Sequence, residues 1–239
     1  MAKSVLIVGL GGLGVPAAMA AVRGGVKRLG LVDPDPVEFS NLARQVIYRE
    51  SDLGRPKVDA AADRLSRLAP GLEIERYRFA LDASNAARVI DDYGFVIDAT
   101  DSPAAKFLIN DVCVAARIPF IYGGVLGMAG QAMTVLPGRT ACLRCLFENP
   151  PDEAEIASCR EAGIIGPIAG AIGTLEGDEA ARWARGAELD LAGMLITYDG
   201  ARGASSRTIA VAAREGCSCG ASSPDRRGGR LARLTGETP

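Results

Sequence analysis

Ser4-Val5-Leu6-Ile7-Val8-Gly9-Leu10-Gly11-Gly12-Leu13-Gly14-Val15-Pro16 is the stretch on which the fold turns. Ser4–Val8 is a short apolar run rich in β-branched residues, which reads as a buried parallel strand. The glycines of G-x-G-x-x-G follow at once, and a helical pattern from Val15 to Gly24 comes next. Glycines permit a tight turn and close approach of phosphate oxygens, and a helix N-terminus favours anionic charge. Gly9, Gly11, Gly12 and Gly14 are therefore candidate phosphate-loop residues. Lys3 ahead of the apolar stretch Val5–Val22 also resembles a signal peptide or membrane span. Four glycines and Pro16 inside it fit a strand, a turn and a helix better.

The pattern continues outward. Strands are expected at Arg28–Val32, Glu73–Phe79, Phe95–Asp98 and Phe120–Tyr122. Helices are expected at Lys57–Ala69, Ala83–Asp91 and Ala104–Arg117. In Lys57–Ala69 the residues Val58, Ala61, Ala62, Leu65 and Leu68 fall near helical spacing. Strands alternating with helices predict an α/β, doubly wound, mostly parallel Rossmann-like sheet. After Gly123 the character changes. Gln131–Leu136, Leu195–Asp199 and Arg207–Ala212 read as antiparallel strands extending the sheet, and Gly166–Arg185 includes a helix. The Pro- and acid-rich Asn149–Glu155 reads as mobile, and residues 222–239, with several Gly and Arg, as a disordered tail. The organisation expected is one domain over 1–221, its nucleotide-binding half at 1–135 and a second part at 136–221.

Composition narrows the chemistry. The 239 residues are 48% hydrophobic, with a formal net charge of −2, which gives no electrostatic case for nucleic acid or a membrane surface. There is no His, so imidazole triads, shuttles and metal ligands are excluded. Four of the six Cys form close pairs, Cys142/Cys145 and Cys217/Cys219, a pattern of metal binding or redox work in a cytoplasmic protein.

The glycine loop and Asp33, at the end of the second strand and placed for ribose hydroxyls, speak only for an adenine nucleotide. Alone they favour an NAD-dependent oxidoreductase. The next residues separate ATP from NAD. Asp33-Pro-Asp35-Pro-Val-Glu-Phe-Ser-Asn41-Leu-Ala-Arg44-Gln45 leads to Gly54-Arg-Pro-Lys57-Val and then to Asp98-Ala-Thr-Asp101. Arg offers a planar fork and Lys a point charge to a triphosphate. A carboxylate at a strand's C-terminal end can hold Mg²⁺.

This ordered set resembles the ThiF/MoeB/HesA family, the prokaryotic E1-like adenylyltransferases, from about Val5 to Cys219. The resemblance implies an ATP-dependent adenylyltransferase. Its substrate would be the C-terminal Gly-Gly carboxylate of a small ubiquitin-like sulfur-carrier protein of the ThiS/MoaD kind. Gly9, Gly11, Gly12 and Gly14 would form the nucleotide loop. Asp33 and Asp35 would lie at the ribose side, and Asn41, Arg44, Gln45 and Lys57 around the phosphates. Asp101 would bind Mg²⁺, and Lys106 and Asn110 stand where the family usually has Arg and Asn. Cys142, Cys145, Cys217 and Cys219 would hold a structural Zn²⁺, with C-x-C in place of the usual second C-x-x-C. Cys159 matches a position able to bond covalently to the carrier; Cys113 reads as core. The resemblance further implies a homodimer in the cytoplasm. The family's N-terminal Arg, which reaches ATP across that dimer, has no counterpart ahead of the first strand. Sulfur is expected from a separate donor such as a cysteine desulfurase or rhodanese. The alternatives are the NAD-dependent oxidoreductase and a non-catalytic scaffold retaining the fold.

Overall fold

The computed structural model describes residues 3–151, 163, 165–201 and 205–221. The expected tail at 222–239, Cys159 and most of Asn149–Glu155 lie outside these residues.

Eight strands form one sheet in the order β3-β2-β1-β4-β5-β6-β7-β8. They are β1 Ser4–Val8, β2 Arg28–Val32, β3 Glu73–Tyr77, β4 Phe95–Asp98, β5 Phe120–Leu126, β6 Ala129–Val135, β7 Met194–Asp199 and β8 Ser205–Ala210. Pairing is parallel from β3 through β5 and antiparallel from β5 to β8. The helices are α1 Gly14–Arg23, α2 Lys57–Leu68, α3 Ala86–Ile90, α4 Pro103–Ala116, α5 Leu143–Leu146 and α6 Gly166–Arg185. The expected mostly parallel, doubly wound sheet with antiparallel C-terminal strands is what the chain forms.

Period-two alternation divides the core. In β1, Val5 and Ile7 face one apolar cluster with α1, α2 and α6, while Leu6 and Val8 face another with α3, α4 and the cysteine knuckle. Every β1 residue is buried, so this strand reads as a continuous apolar run. Fully burying a side chain such as Leu6 or Ile7 stabilises the fold by about 1.5–3 kcal/mol. The one tryptophan, Trp183 on α6, packs on Phe95 with ring centroids 5.6 Å apart.

The departures from the expected boundaries have local causes. The helix expected at Ala83–Asp91 starts only at Ala86. Asp82 Oδ1 accepts hydrogen bonds from the Ser84 N–H and hydroxyl, and Asn85 Oδ1 accepts from the Asp82 N–H. This side-chain turn takes up the residues that would have opened the helix. Strand β5 runs four residues past Tyr122, through Gly123 and Gly124, because pairing with β6 supplies the order that glycine's own propensity does not. β8 begins and ends two residues earlier than expected, at Ser205 and Ala210. All its residues are exposed, so no burial pattern marks its ends. Leu68, expected on the buried face of α2, is 56% exposed at the helix end.

Among the described residues no helix is long and apolar enough to cross a membrane. The Val5–Val22 stretch is strand, turn and helix.

Candidate functional site

Parallel pairing aligns the C-terminal ends of three strands. Val8 of β1 is in register with Val32 of β2 and with Asp98 of β4. Strands β2 and β4 flank β1, and their crossover connections leave in opposite directions, so a crevice opens between them. A cleft of about 910 Å³ occupies this place. Gly9, Gly11, Gly12, Asp33, Asp35, Asn41, Arg44, Gln45, Lys57, Asp101 and Lys106 all line it. Residues spread over a hundred positions are thus brought to one site.

The glycines divide into two kinds. Gly9 has φ +92°, and a Cβ there would lie 2.7 Å from the Ala99 carbonyl oxygen. A Cβ on Gly14 would overlap the Gly9 carbonyl oxygen. These two let the chain turn and let α1 start against β1. Gly11 and Gly12 line the cleft, and the nearest atom to a Cβ on Gly11 would be Gln45 Nε2 at 3.8 Å. Gly14 does not line the cleft. No side chain caps the N-terminus of α1, but the Val15 and Ala17 N–H groups already donate to the Gly11 and Leu13 carbonyls and Pro16 has none, so an anion here would rely on the helix dipole and the loop's own N–H groups.

Asp33 holds the loop from the side. Its Oδ2 accepts from the Leu10 N–H at 2.7 Å and its Oδ1 from the Asp35 N–H at 2.9 Å. Burial pushes its carboxyl above the usual carboxylate range, against the opposing pull of Lys57 and these two N–H donors. Tyr48 secures the same loop, donating its hydroxyl to the Leu10 carbonyl at 3.0 Å. Lys57 is buried at the start of α2. Its Nζ lies 2.8 Å from Asp35 and 3.7 Å from Asp33. The Asp35 side chain is 61% exposed, so it can turn to water when another anion engages Lys57.

Asn41 and Gln45 are buried beside the loop. The Asn41 Oδ1 accepts from the Glu38 N–H, closing a short 3₁₀ turn that sets the course of the chain. Gln45 Oε1 is buried at the cleft wall without a hydrogen-bond partner among the described residues, an acceptor open to a donor group of a bound molecule. Arg44 donates to the Ser40 carbonyl through one guanidinium nitrogen.

Past β4 the chain turns through Asp98, whose Oδ1 accepts from the Thr100 N–H and hydroxyl. Asp101 follows, exposed and facing the cleft. It does not cap α4. Ser102 does, accepting from the Ala105 N–H, with Pro103 in the first turn. Lys106, one turn into α4, donates to the Gly123 carbonyl at 2.6 Å and lies 3.4 Å from Asp98. Asn110, one turn further along α4 from Lys106, does not line the cleft. It accepts from the Leu143 N–H and donates to Asp111, tying α4 to the cysteine knuckle.

The knuckle lies on the opposite face of the sheet. Cys142, Cys145, Cys217 and Cys219 bring their Sγ atoms within 4.8 Å of one another. The Cys142–Cys217 and Cys145–Cys219 sulfurs are 3.7 and 3.6 Å apart. Tetrahedral Zn–S bonds of about 2.3 Å require S···S edges of about 3.8 Å, so the four sulfurs fit a zinc ion. Burial opposes ionisation of Cys217, but the Cys219 backbone N–H and the neighbouring thiols lower it to about 7, while burial pushes Cys142 up. The C-x-C pair is set by two consecutive turns: the Cys217 N–H donates to the Arg214 carbonyl, and the Cys217 carbonyl accepts from the Gly220 N–H across the turn that holds Cys219. Cys113 is buried core, as its helical pattern predicts. Burial, together with the Asp98 charge, raises its thiol.

Asp98 entered the sequence reading only as the first residue of the Asp98-Ala-Thr-Asp101 motif, with no role of its own, and Glu176 was not singled out. The first sits in a strand-end turn with an apolar interior position. The second is an acid at a buried helical position, flanked by Ile172, Gly173 and Ala180 at the same spacing. A charge on an apolar face is the signal that marks it.

Comparison with known proteins agrees with this geometry. The sequence matches the ThiF family over residues 1–221. The adenylyltransferase and sulfurtransferase MOCS3 of Caenorhabditis briggsae is 40% identical over 213 residues, 89% of this chain and 53% of that protein. The sulfur carrier protein adenylyltransferase of Thermus thermophilus is 38% identical over 229 residues, 94% of this chain and 84% of that protein. The chain spans about half the length of the MOCS3 relatives it matches. Among solved structures, E. coli MccB with ATP superposes with a TM-score of 0.78 at 18% identity, over 92% of this chain and 67% of that one. PaaA superposes with 0.72 at 23% identity, over 87% and 73%. Both structural likenesses concern the fold.

Proposed function

The chain belongs to the ThiF family, and from that premise we propose that it uses ATP to adenylylate the C-terminal Gly-Gly carboxylate of a small ubiquitin-like sulfur-carrier protein. One observation carries this reading: Arg44, Lys57, Lys106 and Asp101 line the same cleft as the glycine loop and Asp33. A dinucleotide needs only the loop and the ribose acid. Three cations with a carboxylate suit a triphosphate and its divalent ion.

In this reading the ribose lies at Asp33 and the phosphates at Gly11, Gly12 and the open end of α1. Asn41 and Gln45 shape the wall, and the Gln45 amide gains the partner it lacks. Arg44 and Lys57 contact the phosphates, Lys57 exchanging Asp35 for them. Asp101 holds Mg²⁺, which when bound neutralises developing phosphate charge. A protein C-terminus has a pKa of about 3.3–3.7, so at neutral pH it is already the nucleophile and needs no general base. Its oxygen attacks the α-phosphorus. The bond from that phosphorus to the β-phosphate oxygen breaks, pyrophosphate leaves, and a carrier acyl-adenylate remains. The cleft's contribution is to bring two anions together and cancel their repulsion.

The remaining roles rest on the family. Zn²⁺ at the four cysteines ties β6, α5 and the C-terminal segment together as a structural ion. Cys159 bonds covalently to the carrier, the sulfur comes from a separate donor such as a cysteine desulfurase or rhodanese, and two copies pair in the cytoplasm. The names of the MOCS3 and Thermus thermophilus relatives support the activity and the carrier class. The oxidoreductase alternative gains nothing from them.

ATP–pyrophosphate exchange driven by a carrier ending in Gly-Gly tests the reading. Exchange should appear with the carrier, and Asp101→Ala should abolish it. Absence of exchange with any such carrier, together with tight NAD binding, would overturn it.

A further inference from the structure

Glu176 is the buried acid with least to explain it. It sits on α6, wholly inaccessible, and among the described residues neither carboxyl oxygen has a hydrogen-bond partner. By contrast Glu179, one turn on, accepts from the Thr134 hydroxyl and from the N–H groups of Asp190 and Leu191. The Glu176 carboxyl is pressed on the strand: a Cβ on Gly123 would lie 2.6 Å from its Oε1 and 3.0 Å from its Oε2. The carbonyl of the same Gly123 takes the Lys106 ammonium at 2.6 Å, and Lys106 lines the cleft.

We infer that Glu176 is a positioning residue for Lys106: pressed on Gly123 from the α6 side, it leaves the Lys106 ammonium on the Gly123 carbonyl at the cleft side, where the ligand's anionic groups lie. This deepens the nucleotide-binding reading of the cleft and rests on it.

The charge count supports the inference. The charges acting on Glu176 are Lys106 and Asp98. Of the elements packed on α6, β6 has no titratable side chain, and β5 has only Tyr122, which faces the opposite cluster. β4 contributes Asp98, and α1 only Arg23, at its C-terminal end beside the Ala181 turn. With Glu176 uncharged, Asp98 and Lys106 balance. With Glu176 ionised, the group behind Lys106 is net negative under a site that takes an anion. The ammonium would also have a second carboxylate to turn to, away from the cleft. Burial without donors raises the Glu176 carboxyl well above its ordinary range, against the pull of Lys106, so the uncharged form is the one the fold favours.

The test uses the full chain, with ATP and Mg²⁺ as the probe, titrated calorimetrically between pH 6 and pH 9.5. The carboxyl C=O band reports the pH at which Glu176 ionises, and wild-type affinity should weaken by about tenfold across that transition, the effect of one added charge at partly screened range. Glu176→Gln and Glu176→Met should both lose that weakening, whereas Lys106→Met should weaken binding at every pH. A side chain that merely fills space would leave the pH profile of the Gln variant identical to wild type, and that result overturns the inference. The infrared difference spectrum of wild type minus Glu176→Gln at pH 7 is an independent readout. It should contain a protonated carboxyl C=O band, and an ionised carboxylate band in its place equally refutes the assignment. If neither wild type nor variants bind ATP at any pH, the nucleotide reading itself fails, an outcome distinct from ATP binding whose pH profile the variants do not change.

Discussion

Replacing Asp33 by Ala tests whether one carboxylate holds the glycine loop in its binding shape. Its Oδ2 is the acceptor for the Leu10 N–H at 2.7 Å, and Leu10 is fully buried. That donor would be left without a partner, at a cost of about 1–3 kcal/mol. The second donor, on Asp35, belongs to an exposed residue, and water can replace the carboxylate there. Removing a buried carboxyl whose ionisation is already disfavoured by burial returns part of the loss. The net is about 2 kcal/mol. For a chain of this length each kcal/mol shifts Tm by about 2–4 °C, so the expected fall is about 4–8 °C. Differential scanning calorimetry measures it, and ATP titration should show weakened affinity in the same variant. Asp33→Asn keeps one acceptor and should fall between the two. A Tm within 1 °C of wild type with ATP affinity intact would show that the loop is held by other contacts and would refute the reasoning.

Gly9→Ala should destabilise by about 1–3 kcal/mol and impair nucleotide binding. Its φ of +92° is strained for any side chain and its Cβ meets the Ala99 carbonyl; unchanged unfolding and binding would contradict the turn geometry. Metal analysis should find stoichiometric zinc that Cys145→Ser removes, with earlier unfolding on chelation, whereas a metal-free protein of equal stability would deny the site. Asp52 is held below its ordinary value of 3.8, burial opposing this and the Arg64, Arg49 N–H and Arg55 hydrogen bonds outweighing it. A lowered folded-state value means stability present above pH 3.8 and lost as pH falls through the folded value. Asp52→Asn should therefore flatten the acid limb of a Tm–pH curve, and an unaltered limb would assign the acid loss to other carboxylates.

Local physics made some elements legible. The apolar run Ser4–Val8 had no stable alternative to a buried strand, and the glycines after it admit a turn that other residues do not. Phe95–Asp98 likewise has the boundaries that its pattern predicts, and the stretch expected to include a helix, Gly166–Arg185, is helical throughout. Elements ordered by a neighbour were read less well. β5 crosses two glycines because β6 pairs with it, and the start of α3 is displaced by a turn its own Asp82 and Asn85 build.

The sequence by itself determined the nucleotide loop and the kinds of charge the site holds. Spacing and residue type decide those, and the loop is a local structure. Tertiary structure alone decided that Gly9, Gly11 and Gly12 line the cleft while Gly14 only permits packing. It also decided that Lys57 is already shared between Asp35 and Asp33, that Asn110 serves the cysteine knuckle, and that Glu176 lies uncompensated beneath Gly123. These are facts of distance between residues far apart in the chain. No local preference encodes them, because burial and partnership arise only when the sheet brings the strand ends together.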